Sequence, residues 1–238
     1  MLYEIAKPPV ALVVRILWAP QIRGAERIPR SGPAILASNH LSAADTVFLP
    51  AQLDRTVHFL GKADFFRGRS LPGRAVAWVM RQLGIIPVDR TGGSASDGAL
   101  EAGLGVLRRG EVLGIYPEGT RSPDGRLFRA KTGVARLALG TGAPIIPVAM
   151  LGAFEAGGGR LLPRRRPRII AVIGEPVDAE AIRAAHPELS AAELLRRIAD
   201  TVVHEIGRLS GQEYVDRYAA EVKAELRARA DAAHRRDG

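Results

Sequence analysis

The chain has 238 residues, 47% of them hydrophobic and 25% charged, which suits a globular protein with one substantial core and excludes disorder of its bulk. It contains no cysteine, which excludes disulfides, thiolate nucleophiles and cysteine-ligated zinc; its five histidines (His40, His58, His186, His204 and His234) form no H-E-x-x-H motif and no close pair, so no metal is expected. A net charge of +9 draws the protein towards polyanions such as nucleic acid, anionic headgroups or phosphorylated substrates, without choosing between them.

The first element is Val10 to Trp18, apolar except for Arg15 and preceded by Pro8 and Pro9, residues tolerated at a helix start. It is less than half of the roughly 20 residues that a membrane crossing requires. Its apolar residues surround the helix, so two readings stand open. The helix is buried by the domain, or it lies in a membrane interface with Trp18 and Arg15 at headgroup level. The opening Met-Leu-Tyr-Glu has no basic n-region, and no signal peptide is expected.

After Gly24 short apolar strands alternate with helices. Strands are predicted at Ala34–Ser38, Val57–Leu60, Ile85–Val88, Val112–Tyr116, Ile145–Leu151 and Arg168–Ile173. Helices are predicted at Thr46–Leu53, Arg74–Leu83, Ser96–Arg109 (stopped by Gly110) and Thr132–Leu139, with Gly140 and Gly142 following. This alternation predicts an α/β fold with a mixed, mainly parallel central sheet flanked by helices, whose chemistry sits in loops beyond the strand ends. The C-terminal part reads as helical. Ser190 and Glu193 have capping-box spacing ahead of Leu194, Leu195, Ile198 and Val202, and a last helix is predicted over Glu213–Arg229. Gly157–Pro167, with Arg160, Arg164, Arg165 and Arg166, reads as a loop. The predicted division is an N-terminal segment over 1–23, an α/β domain over 24–185 and C-terminal helices over 186–238.

The sharpest chemical signal is Asn39-His40-Leu41-Ser42-Ala43-Ala44-Asp45. His40 follows a buried strand, and Asp45 opens the next helix. A turn between them would bring the carboxylate to one ring nitrogen, fixing the tautomer and leaving the other nitrogen to take a proton. The plainer reading also stands: Ser42 and Asp45 have capping spacing, and His40 is then a loop histidine. No G-x-S-x-G elbow accompanies the pair. A His-Asp pair with no enzyme nucleophile suggests direct activation of a substrate hydroxyl.

Three further blocks lie at strand or helix ends. Tyr116-Pro117-Glu118-Gly119-Thr120-Arg121-Ser122 combines a glycine that allows close backbone approach with a guanidinium fork suited to phosphate oxygens; on its own it also reads as a solvated turn with Glu118 and Arg121 paired. Gly84-Ile85-Ile86-Pro87-Val88-Asp89-Arg90 ends a strand in Arg90. Lys131-Thr132-Gly133 opens a helix, with Thr132 as N-cap and Lys131 beside the N-terminus. Lys62 follows the Val57 strand. Each cation alone reads as an exposed side chain, but together they suit a hydroxyl substrate bearing a phosphate. Neither G-x-x-x-x-G-K-[ST] nor G-x-G-x-x-G occurs.

In this order, the blocks resemble the glycerolipid acyltransferase family, of the 1-acyl-sn-glycerol-3-phosphate acyltransferase type. Asn39 to Asp45 matches N-H-x-x-x-x-D, and Pro117 to Ser122 matches P-E-G-T-R-S letter for letter. Gly84 to Arg90 resembles the block that ends in arginine. Ile145 to Val148, around Pro147, resembles the fourth block. The resemblance covers about Gly24 to Leu151. It implies His40 as the general base and Asp45 as the group that orients it. It implies Arg90, Glu118, Gly119, Thr120 and Arg121 at the substrate phosphate, and Lys62 and Lys131 are added as candidates. It implies transfer of a fatty acyl group from acyl-CoA or acyl-carrier protein to a lysophospholipid hydroxyl, giving phosphatidic acid from lysophosphatidic acid, with no cofactor. It shifts Val10–Trp18 towards a monotopic helix at the cytoplasmic face of the cell membrane, aided by Arg15, Arg23 and Arg160 to Arg166 against anionic lipid. Two other expectations are kept: the same chemistry on another lysophospholipid or a glycolipid, and a non-catalytic basic module for membrane or nucleic acid, supported by charge alone.

Overall fold

The structure, a computed structural model, describes residues 20–42, 45–66, 84–88, 95–154 and 169–234, with isolated residues 12, 16, 73, 74, 77 and 78. The strands β1 (Gln21–Arg23), β2 (Ala34–Ser38), β3 (Val57–Lys62), β4 (Ile85–Val88), β5 (Val112–Ile115), β7 (Ile145–Leu151) and β8 (Ile170–Ile173) form one sheet in the order β1-β8-β7-β2-β5-β3-β4. Every neighbouring pair is parallel except β7 with β8. The predicted mixed, mainly parallel α/β sheet is therefore the observed one.

β2 lies inside the sheet, and all five of its residues are buried. Successive side chains of a strand point to opposite faces, so a strand covered on both sides is apolar throughout. Ile35 and Ala37 join one core with residues of α2 (Ala95–Arg108), α3 (Gly133–Thr141) and α5 (Ala191–Ser210). Ala34 and Leu36 join the other, with Phe48, Leu49, Phe59, Ile146 and Val148. Pro147 is tolerated inside the sheet for a local reason. Its carbonyl accepts from Gly174 N–H on the β8 side, so its missing donor also faces that side, just where β8 has ended at Ile173.

Several boundaries differ from the sequence reading. The helix predicted over Thr46–Leu53 is one α-helical turn, α1 (Asp45–Phe48), followed by a 3-10 turn at Pro50–Gln52, because Pro50 has no amide to continue the ladder. Glu213–Arg229 does not begin as a helix. Tyr214–Val215 forms β9, which pairs with β6 (Leu127–Phe128), and the helix α6 runs over Ala219–His234. β1, β6, β9 and a seven-residue helix α4 (Ala179–Ala185), capped by Asp178, have no counterpart in the sequence reading. α3 continues through Gly140 and stops at Gly142, whose φ of 68° a side chain would resist. Ser190 and Glu193 form the expected capping box at the start of α5.

The helix predicted over Val10–Trp18 falls almost entirely outside the described residues. Within it, Leu12 and Ile16 are helical and exposed at 58% and 63%. Most of Arg74–Leu83 likewise lies outside. Among the described residues no helix is long and apolar enough to cross a membrane.

Candidate active site

β2 and β5 are parallel neighbours, with Ala37 opposite Ile115, so the segments that follow them emerge side by side. One carries Asn39 and His40, the other Tyr116 to Arg121. Sites in open α/β sheets form in this position, beyond the carboxyl ends of strands.

Asn39 is fully buried and ties the site to the sheet. Its side-chain oxygen accepts from Met150 N–H at 2.7 Å, while its amide donates to Met150 O at 3.1 Å and to Gln212 Oε1 at 2.6 Å. Gln212 in turn donates to Gly125 O at 2.6 Å. β2, β7, the Gly125 turn and the residues after α5 thus meet at one side chain.

His40 follows, and the chain turns so that Asp45 comes back to it. Asp45 Oδ2 lies 3.1 Å from His40 Nδ1 and accepts from Leu41 N–H and Ser42 N–H, both at 2.8 Å. The two readings of this segment therefore describe one carboxylate: it closes the turn at the helix start and holds the imidazole. With the carboxylate on Nδ1, that nitrogen carries the proton and Nε2 keeps its lone pair. Asp45 is 1% exposed and the His40 side chain 15%, so the base is open to a substrate and its partner is not.

The Tyr116–Ser122 segment wraps this pair. Gly119 N–H donates to Tyr116 O at 2.9 Å, and Gly119 has φ 76°, a conformation costly for a side chain. A Cβ there would also fall 3.0 Å from Lys131 Cε. Lys131 is exposed, its N–H donates to Pro117 O at 2.8 Å, and its side chain lies along Gly119. Ser122 N–H donates to His40 O at 2.8 Å.

Glu118 requires a correction. Expected at the substrate phosphate, it is 1% exposed, and its carboxylate accepts from His40 N–H at 3.2 Å and Phe128 N–H at 3.0 Å. Burial pushes its carboxyl up to about 7, against the pull of those two amides. A buried acidic group bonded to the backbone supports the loop, and as a carboxylate it would repel a phosphate. Thr132 is corrected too. It stands before α3 with φ −75° and ψ 0°, a helical backbone from which its side chain makes no cap.

The remaining cations are placed as follows. Arg121 is half-buried and close enough to Lys223 of α6 for its charge, after burial, to push the Lys223 amine down, with Arg227 adding to the effect. Lys223 was missed in the sequence, where it sits in a helix of charge and alanine. Thr120 is half-buried beside Gly119. Lys62 ends β3, opposite Val88, one strand beyond β5; Arg90 lies outside the described residues, just past the edge strand β4. Among the described residues no group of three or more His, Asp or Glu could hold a metal ion.

Sequence reasoning also missed Tyr116. Its ring lies flat on the His40 imidazole, with centroids 3.7 Å apart and planes 10° apart. An aromatic residue at the end of a buried strand gives no signal of that stack.

A sheet with a buried carboxylate, a half-open imidazole and a turn bearing cations suits acyl transfer, and comparison with known proteins agrees. A family model described as Acyltransferase matches residues 19–151, and the chain belongs to this acyltransferase family. It is 29% identical over 160 residues to the chloroplastic 1-acyl-sn-glycerol-3-phosphate acyltransferase BAT2 of Brassica napus, covering 67% of this chain and 43% of that protein. To the 1-acyl-sn-glycerol-3-phosphate acyltransferase of Bacillus subtilis it is 24% identical over 181 residues, covering 74% and 82%. It superposes on the crystal structure of the 1-acyl-sn-glycerophosphate (LPA) acyltransferase PlsC from Thermotoga maritima with a TM-score of 0.61 at 25% identity, covering 87% of this chain and 79% of that one. The chain spans 43% and 42% of the lengths of the two chloroplastic relatives, from Brassica napus and Arabidopsis thaliana.

Proposed function

We propose that the protein transfers a fatty acyl group from a thioester, acyl-CoA or acyl-carrier protein, to the sn-2 hydroxyl of 1-acyl-sn-glycerol 3-phosphate. The observation that supports this most directly is the 3.1 Å contact between His40 Nδ1 and the buried Asp45 carboxylate, beside a turn that carries Arg121 and along which the Lys131 side chain lies. The activities for which the relatives are named support the acceptor.

In this reaction His40 Nε2 takes the proton of the acceptor hydroxyl, and Asp45 stabilises the imidazolium. The acceptor oxygen attacks the thioester carbonyl. The tetrahedral intermediate then expels the thiolate, which recovers the proton from His40. The products are phosphatidic acid and a free thiol. Arg121 and Lys131, with Lys223 and Arg90 as further cations, hold the phosphate of the acceptor. Thr120 and the Gly119 backbone line the approach. The exposed Leu12 and Ile16, one helical turn apart, support a monotopic segment that rests on the cytoplasmic membrane face.

The test is thiol release by the purified protein. Release from acyl-CoA should require lysophosphatidic acid, and His40→Ala should reduce it by about 10²- to 10⁴-fold. Undiminished release in His40→Ala refutes the reading. Acceptor and donor panels, with acyl-carrier protein alongside acyl-CoA, identify the pair in use.

A further inference from the structure

Among the described residues, two buried polar atoms beside His40 have no hydrogen-bond partner: the Tyr116 hydroxyl and Asp45 Oδ1. One can donate and the other can only accept. Burial, with the Asp45 charge second, raises the Tyr116 phenol well above its ordinary value, so it stays protonated and neutral. An unbonded buried hydroxyl is costly, and a phenylalanine would fill the same space without it.

The Tyr116 ring is itself held from behind. It stacks on Phe59 of β3, with centroids 5.4 Å apart and planes 22° apart. Phe59 is 2% exposed and fits over Gly114 of β5, where a Cβ would fall 2.4 Å from its Cζ. The plane of the imidazole is thus set by a column of rings reaching through two strands, while Asp45 fixes only one of its atoms.

We propose that Tyr116 is a positioning residue for the His40–Asp45 pair: its ring, backed by Phe59, fixes the plane of the imidazole. The inference rests on His40 as the base of the proposed reaction. The other titratable groups around the pair are Glu118, bonded to the His40 amide, and Asp124, whose charge reaches Glu118. Both are unchanged in the variants below.

The experiment compares wild type, Tyr116→Phe and Tyr116→Leu as full chains. Its readouts are kcat and KM of thiol release, together with the NMR shifts of the His40 ring protons, which a ring stacked on them displaces and which are recognised by their loss in His40→Ala. Tyr116→Phe keeps the stack and removes the donor. With the stack kept, kcat and KM should stay within about threefold of wild type. Tyr116→Leu removes the stack, and kcat should fall at least about tenfold with KM little changed, as expected for a misplaced base. Wild-type kcat in a folded Tyr116→Leu overturns the proposal, as does a loss of kcat of about tenfold or more in a folded Tyr116→Phe, which keeps the ring. If Tyr116→Leu does not fold, Tyr116→Met, which fills a similar space without a ring, takes its place with the same expected loss. A wild type inactive on every lysophospholipid refutes the proposed function, whereas the His40 ring-proton shifts, expected to hold in Tyr116→Phe and to move in Tyr116→Leu, still decide the role of Tyr116.

Discussion

Around the ends of β2 and β5 the side chains of Asn39, Asp45 and Glu118 are buried and bonded to the backbone, whereas the Arg217–Glu225 pair at α6 is exposed. Asn39, Asp45 and Glu118 are each at most 1% exposed, and between them they bond the backbone of Met150, Leu41, Ser42, His40 and Phe128. α6 touches a small core through Ala219 and Val222 against Phe128, and the Arg217–Glu225 pair beside it is open to water. Buried polar networks are costly to leave half-made, and exposed ion pairs are worth little. Geometry is over-determined around the proposed base and loosely specified where the chain only covers a neighbour.

The largest effect should come from Asp45→Asn, which removes the charge facing His40 Nδ1. We expect kcat to fall by about 10²- to 10⁴-fold with the fold retained, read by thiol release and circular dichroism. A rate above a tenth of wild type would place the pair outside the chemistry. Asn39→Ala should follow, since it leaves buried groups of Met150 unbonded. A loss of about 3 kcal/mol in denaturant melts is expected, and a loss under about 1 would mean that water replaces the amide.

Glu118 offers a test by pH. Its folded carboxyl titrates at about 7 against 4.5 for the ordinary group, so between those values the folded state holds a proton that the unfolded state has lost. Stability should therefore fall as pH rises from about 4.5 to about 7, by up to about 3 kcal/mol. Glu118→Gln should be less stable at low pH, having lost an acceptor oxygen, and its stability should vary less across that window. An equal slope in both proteins would assign the dependence to another group. The smallest effect belongs to α6: Arg217→Ala should change stability by less than about 1 kcal/mol, and a larger loss would break the contrast between the two regions.

Much of the fold was legible because its central strands are apolar runs bounded by turn residues, and Ile85–Val88 and Ile145–Leu151 have the bounds the sequence suggests. Strands of two or three residues, β1, β6 and β9, are too short to show a period, and only their partners define them. The His40–Asp45 contact was legible because a five-residue turn is local. Glu118 was misread because sequence shows a charge and not its burial. The Tyr116 stack depends on the register that sets Phe59 against Gly114, and the Asn39 bond to Gln212 depends on how the whole chain closes.

That last bond also orders events during synthesis. Asn39 leaves the ribosome early, but Gln212 is made 173 residues later. Until then one amide proton at the base of the nascent site has no protein partner, so a fragment ending at Leu151, where the family match stops, would carry every matched block and still lack the residue that completes its anchoring.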